Sequence, residues 1–208
     1  MGGVEGLAVG FDLDMTLIDP RPGMVAAMAA LADETGLALD GEYFAANLGP
    51  PLEMIFRGFE APEERIPWLV ARFRALYPDI VIPATVALPG AGDALAAVRE
   101  AGGRTLVVTG KYGPNAAKHL AQFGWQVDTL VGELWSTAKG EALRAHGASI
   151  YVGDHEGDVA GAHAANAISV GVPTGPRTAE ELLAAGADVV LPDLTEFPVW
   201  LKAHLSSL

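Results

Sequence analysis

The chain contains no cysteine. Disulfides, thiolate zinc sites and cysteine nucleophiles are thereby excluded, nothing points to an oxidising compartment, and a cytoplasmic setting is expected. Basic residues are scarce: 13 Lys and Arg stand against 26 Asp and Glu, a formal net charge of −13 at pH 7. A surface of that sign repels nucleic-acid phosphates and anionic membranes, and no Lys/Arg-rich block reverses it locally, so neither is expected as a partner. Any anionic ligand must be held by a local site. No apolar run approaches the roughly 20 residues needed to span a bilayer. The segment 1–6 has neither the basic nor the apolar region of a signal peptide.

What is present is material for a core. Half of the 208 residues are hydrophobic and 19% are charged, which fits one domain, or a core domain carrying a small insert. Short apolar runs alternate with Ala/Leu segments of helical period, the βαβα pattern of a mostly parallel sheet covered by helices. Strands are expected at 7–13, 105–109, 149–153 and 167–172, with weaker ones at 128–131 and 188–191. Helices are expected at 92–101, 114–123, 138–146, 158–165 and 178–185, with a last one after Asp193. The fold class is therefore α/β, a Rossmann-like sheet with helices on both faces.

From about residue 19 to 87 the alternation stops and only helical patterns remain, which reads as an all-α insert after the first strand. Helices are expected at 22–35 and 61–77, the second with Ile66, Leu69, Val70, Phe73 and Leu76 on one face. Pro78 and Pro83 are expected to stop it, since proline lacks the N–H that a helix interior requires. The core would then comprise 1–18 and 88–208.

Two pairs of acids stand where apolar strands end. In Phe11-Asp12-Leu13-Asp14-Met15-Thr16 the carboxylates are at i and i+2, on one side of an extended chain. At about 4 Å two such charges repel by roughly 4 kcal/mol at an effective dielectric of about 20, a cost that a hard cation such as Mg²⁺ removes. In Gly153-Asp154-His155-Glu156-Gly157-Asp158 the acids again follow a strand, with Asp158 placed to open a helix. An EF-hand fails there, because Val159 and Ala165 occupy the positions that need Gly and Glu. Glu156 reads as a surface acid. A third strand ends in Thr109-Gly110-Lys111, a hydroxyl and an open backbone N–H suited to a phosphate oxygen. Near the start of another helix stands Lys139, where its charge opposes the helix dipole. None of the five histidines, at 119, 146, 155, 163 and 204, shows a metal-ligand spacing.

These four pieces, in this order, resemble the haloacid dehalogenase-like hydrolase superfamily, and the helical insert resembles the α-helical cap of its phosphoglycolate phosphatase-like subgroup. The resemblance implies Asp12 as nucleophile, Asp14 as general acid/base, and Thr109 and Lys139 as holders of the transferred phosphoryl group. It implies Mg²⁺ as cofactor, with Asp12 and Asp154 as ligands, Asp158 ligating through water or orienting the direct ligands, and Asp14 contributing through its backbone carbonyl. Gly49, in Asn47-Leu48-Gly49-Pro50-Pro51, resembles part of a substrate-specificity loop, and Lys111 a lysine that reaches substrate; Arg21 and Arg57 are further cationic options. Met15 stands where Gly is usual, and His155 where Ser or Thr is common. The expected function is a Mg²⁺-dependent phosphatase acting through an aspartyl-phosphate on a small phosphorylated metabolite, phosphoglycolate-like or a sugar phosphate, in a monomer or homodimer. The alternatives are a phosphomutase of the beta-phosphoglucomutase type or a non-catalytic binding protein on the same fold.

Overall fold

Strand β1 (Ala8–Phe11) is buried on both faces, so its alternate side chains serve two cores. Val9 and Phe11 pack into one cluster with Val98, Val107, Val152 and Phe197, while Ala8 faces the other with Leu106, Val108, Leu143 and Tyr151. That is why the strand reads as an unbroken apolar run. The computed structural model describes residues 6–208. The reading of the N-terminus as free of a leader falls mainly on residues 1–5, outside them.

Between β2 (Ile18–Asp19) and β3 (Val86–Ala87) the chain forms α1 (Arg21–Thr35), α2 (Gly41–Ala46), α3 (Leu52–Gly58) and α4 (Ile66–Ala84). These helices bury a cluster of their own, including Met24, Met28, Leu31, Phe44, Phe56, Leu69 and Phe73. Each such side chain contributes roughly 1.5–3 kcal/mol on burial. The remaining elements are α5 (Ala91–Glu100), β4 (Arg104–Val108), α6 (Gly113–Gln122), β5 (Thr129–Val131), α7 (Lys139–Ala145), β6 (Ile150–Gly153), α8 (Glu156–Ala164), β7 (Ile168–Gly171), α9 (Ala179–Ala184), β8 (Val189–Val190) and α10 (Phe197–Ser206). The six-stranded sheet has the order β5-β4-β1-β6-β7-β8 and every pairing in it is parallel. The chain runs outward from β1 through β4 and β5, then returns to β6 on the other side. The crevice at the carboxyl ends of β1 and β6 is therefore the topological switch point, where open α/β sheets bind ligands.

Two expectations are corrected. Helix α4 does not stop at Pro78: it runs through Pro78 and Pro83 to Ala84. Each proline removes one backbone hydrogen bond, but buried Tyr77 and Val81 anchor this last stretch, and tertiary packing outweighs the local penalty. The insert is also not free of strand, since β2 and β3 pair antiparallel at its base through Ile18–Ala87 and Asp19–Val86. Two-residue strands are too short to show alternation in a sequence.

Candidate active site

Ladder bonding carries β1 one residue further: the Asp12 amide donates to the Val152 carbonyl at 2.8 Å. This seats Asp12 beside the end of β6, where Asp154 follows Gly153. Asp158 comes from the first turn of α8, locked by a reciprocal cap. The His155 amide donates to Asp158 Oδ2 at 3.1 Å, and the Gly157 amide donates to His155 Nδ1 at 3.1 Å. One oxygen of each of Asp12, Asp154 and Asp158 then lies within 4.8 Å of the others, and all three residues are buried. Gly175 backs the cluster, because a Cβ there would collide with the Asp154 carboxylate.

Lys139 is the one cation paired with this cluster among the described residues. Its ammonium lies 3.1 Å from Asp12 Oδ1 and 2.6 Å from Asp158 Oδ1, and it donates to the Tyr151 hydroxyl at 3.0 Å. That hydroxyl donates in turn to the Val108 carbonyl at 2.5 Å. Burial alone would drive the Lys139 ammonium down, but Asp12 and Asp158 outweigh it and hold the pKa well above the ordinary lysine value. One ammonium does not balance three carboxylates. Burial, reinforced by the charges of Asp158 and Asp12, pushes Asp154 well above the usual carboxylate range. Burial pushes Asp158 up to about 6 despite Lys139. Asp12 Oδ1 is buried and accepts no hydrogen bond. An all-carboxylate donor set short of positive charge suits a hard divalent cation.

Asp14 points elsewhere. Its carboxylate lies outside the three-acid cluster and pairs with Lys111 at 2.9 Å. Lys111 also donates to the Tyr77 hydroxyl, which bonds His119 Nε2 at 2.8 Å. Burial, aided by the Lys111 charge, lowers His119 to about 3, so the imidazole is neutral and Tyr77 donates to it. Burial raises the Asp14 pKa even against Lys111, and its Oδ1 has no hydrogen-bond partner. A chain Asp14–Lys111–Tyr77–His119 thus joins the first strand end to α4 and α6. Sequence reading missed Tyr77, which sits at the end of the expected helix and resembles any core aromatic.

Thr109 is buried at the end of β4, its amide bound to the Val131 carbonyl at 2.9 Å and its hydroxyl accepting from the Lys111 amide at 3.3 Å. With Asp12, Asp14, Asp154, Gly110 and Lys111 it lines a cavity of about 280 Å³ between the sheet and the helices. Lys139 and Asp158 stand behind that wall. Gly49 lines the cavity at φ +134°, and a Cβ there would come within 2.5 Å of the Trp135 ring. Trp135 leans on His155 with ring centroids 5.0 Å apart, and its loop holds Glu133 and Ser136 at φ 62° and 52°. Left-handed non-glycine residues of this kind cost roughly 1–3 kcal/mol and cluster at functional sites. Met15, φ 60°, is another, and its side chain enters the core of the helical insert. Arg21 and Arg57 do not line this cavity: they pair with Asp19 and Glu63, each at 2.7 Å, on the surface. The Glu156 carboxylate is half exposed and paired with Arg177.

A haloacid dehalogenase-like hydrolase family model matches residues 9–163, which span both acid motifs, Thr109 and Lys139. The chain belongs to the haloacid dehalogenase-like hydrolases. A second hydrolase-like model covers residues 133–197. A probable phosphatase, IndB, of Dickeya dadantii (strain 3937) is 29% identical over 205 residues, 89% of either chain. A phosphoglycolate phosphatase of Caulobacter vibrioides is 27% identical over 94% of this chain and 90% of its own. The crystal structure of a predicted phosphatase from Clostridium acetobutylicum shares the fold with a TM-score of 0.81 at 24% identity, covering 95% of this chain and 98% of that one. The haloacid dehalogenase-like fold thus accounts for both the switch-point crevice and the helices above it.

Proposed function

We propose that this hydrolase is a metal-dependent phosphatase that cleaves a small phosphomonoester through carboxylate attack by Asp12. The observation that carries the reading is the convergence of buried Asp12, Asp154 and Asp158 on one point with a single lysine to balance them. In this reading Asp12 Oδ1, buried and without a hydrogen bond, faces the phosphorus and forms an aspartyl-phosphate, which splits one hard displacement into two easier ones. Asp14, whose pKa burial raises, protonates the leaving alkoxide and afterwards takes a proton from the attacking water. Thr109 and Gly110 supply a hydroxyl and an amide to the phosphoryl oxygens, and Lys139 contributes the fixed positive charge beside Asp12.

Asp12, Asp154 and Asp158, joined by the Asp14 carbonyl, would hold Mg²⁺, which when bound supplies the missing positive charge and polarises a phosphoryl oxygen. Residues 19–87 act as a cap over the core formed by 1–18 and 88–208, and the apolar Phe44, Leu48 and Pro50 keep water from the reacting group. A chain without cysteine suits work in the cytoplasm. Phosphate release from a range of small phosphate esters tests the reading. Turnover should require Mg²⁺, stop with chelator and fall by at least about 10³-fold in Asp12→Asn. Isomerised substrate without free phosphate favours the mutase, and no turnover at all the binding protein.

A further inference from the structure

The wall of the cavity away from the reacting acids has its own character. Two cations line the cavity, Lys111 and Arg74, and both are taken. Lys111 faces Asp14 at 2.9 Å. Arg74, from α4, pairs with Glu133 at 2.8 Å and lies over the Tyr112 ring, 4.1 Å from its centroid. The contact with Glu133 runs from Nη2 alone, and the buried Nε has no partner among the described residues. Glu53 adds a further acid to the same wall. A carboxylate on the leaving group would therefore meet two acids and no free cation, at a cost that like-charge contacts impose on any ligand. The rest of the wall is apolar or aromatic, with Met24, Phe44, Phe73 and Trp135. Among the neutral polar residues of the wall, with Tyr77 and Tyr112, Asn115 is 3% exposed.

We propose that the substrate is a phosphate ester of a small uncharged alcohol, and that Glu133, by occupying Arg74, excludes carboxylated esters such as phosphoglycolate. The proposal rests on the phosphatase reading and narrows it. Asn115 hydrogen-bonds a hydroxyl or carbonyl of the alcohol, and Trp135 covers its apolar side. Glu133 is held at a left-handed φ of 62°, a backbone cost that fits a position kept for what its side chain does. The volume of about 280 Å³ lies at the small end of ligand sites and limits the alcohol to about the size of one sugar.

The test compares kcat/KM of the Mg²⁺-loaded enzyme on p-nitrophenyl phosphate, glycerol phosphate, a hexose phosphate, 2-phosphoglycolate and 3-phosphoglycerate. The neutral esters should exceed the carboxylated pair by about tenfold or more, and Glu133→Gln should shrink that ratio by about tenfold through the freed Arg74. Carboxylated esters turned over as well as the neutral ones by the wild type would overturn the proposal while leaving the phosphatase intact, as would a Glu133→Gln variant that folds and shifts both classes alike. Should Glu133→Gln not fold, the wild-type ratio alone decides. No phosphate from any ester, p-nitrophenyl phosphate included, removes the phosphatase reading and the proposal with it.

Discussion

Asp154 and Asp158 hold protons more tightly than free carboxylates do, because burial and mutual repulsion oppose their ionisation. The sign of the consequence is fixed by linkage. A folded-state pKa of about 6 for Asp158 lies above the ordinary value of 3.8, so the folded protein binds the extra proton between them. The stability this gives is present below the lower value and lost as pH rises through the upper one. A divalent cation needs the ionised acids, so its binding expels those protons and strengthens over the same interval. The rise in melting temperature on adding Mg²⁺ should therefore be clearly larger near pH 7.5 than near pH 5, and a rise independent of pH would contradict it. These acids were legible in the sequence because two carboxylates after a buried apolar strand are costly without a purpose. Tyr77, Asn115, Trp135 and Glu133 were not, since an aromatic or polar residue on a helix or loop has no spacing that separates a cavity wall from a core or a surface. Trp135 and Glu133 needed the left-handed backbone of their loop to be seen, and dihedral angles are not written in composition.

At the scale of elements, Met15 is the joint between catalytic loop and helical insert. Its amide donates to the Ile18 carbonyl at 2.7 Å, its carbonyl accepts from Thr174 at 2.6 Å, and its side chain is 2% exposed in the core of α1–α4. Truncating a buried methionine costs roughly 2–5 kcal/mol, whereas relieving a left-handed residue returns roughly 1–3 kcal/mol. Packing outweighs strain, so Met15→Gly should lower the unfolding free energy by about 1–3 kcal/mol in urea titrations, even though glycine suits the backbone. A variant as stable as the wild type would show that the side chain contributes nothing to the joint. The departure from glycine at this position was visible in the sequence, but its reason was not, because Thr174 and most of the α1–α4 core it joins lie far along the chain. The prolines of α4 teach the converse. Pro78 and Pro83 gave a local stop signal that Tyr77 and Val81, buried against neighbouring helices, override. The main sheet was easier to read, since strands buried on both faces leave continuous apolar runs.

Over the whole molecule, the strand order β5-β4-β1-β6-β7-β8 brings two acid motifs some 140 positions apart in the chain to one crevice, where Thr16 donates to Asp154 at 2.9 Å. The separate cores of sheet and helices meet above that crevice through a hydrogen bond from Lys111, which also pairs with Asp14, to Tyr77 and through the ion pair of Arg74 with Glu133. A molecule of net charge −13 has no general attraction for an anionic ester, so capture depends on the local groups of this one crevice. The strand order could not be taken from periodicity, which reports burial but not neighbours. The central claim is that Asp12 takes the phosphoryl group, and it is tested most directly by acid-quenching the enzyme during turnover and mapping peptides by mass spectrometry. The account predicts one added phosphoryl group, removed by hydroxylamine as an acyl phosphate is, on the peptide containing Asp12 and none in Asp12→Asn. A phosphoryl group on another residue, or unimpaired turnover by Asp12→Asn, would contradict it.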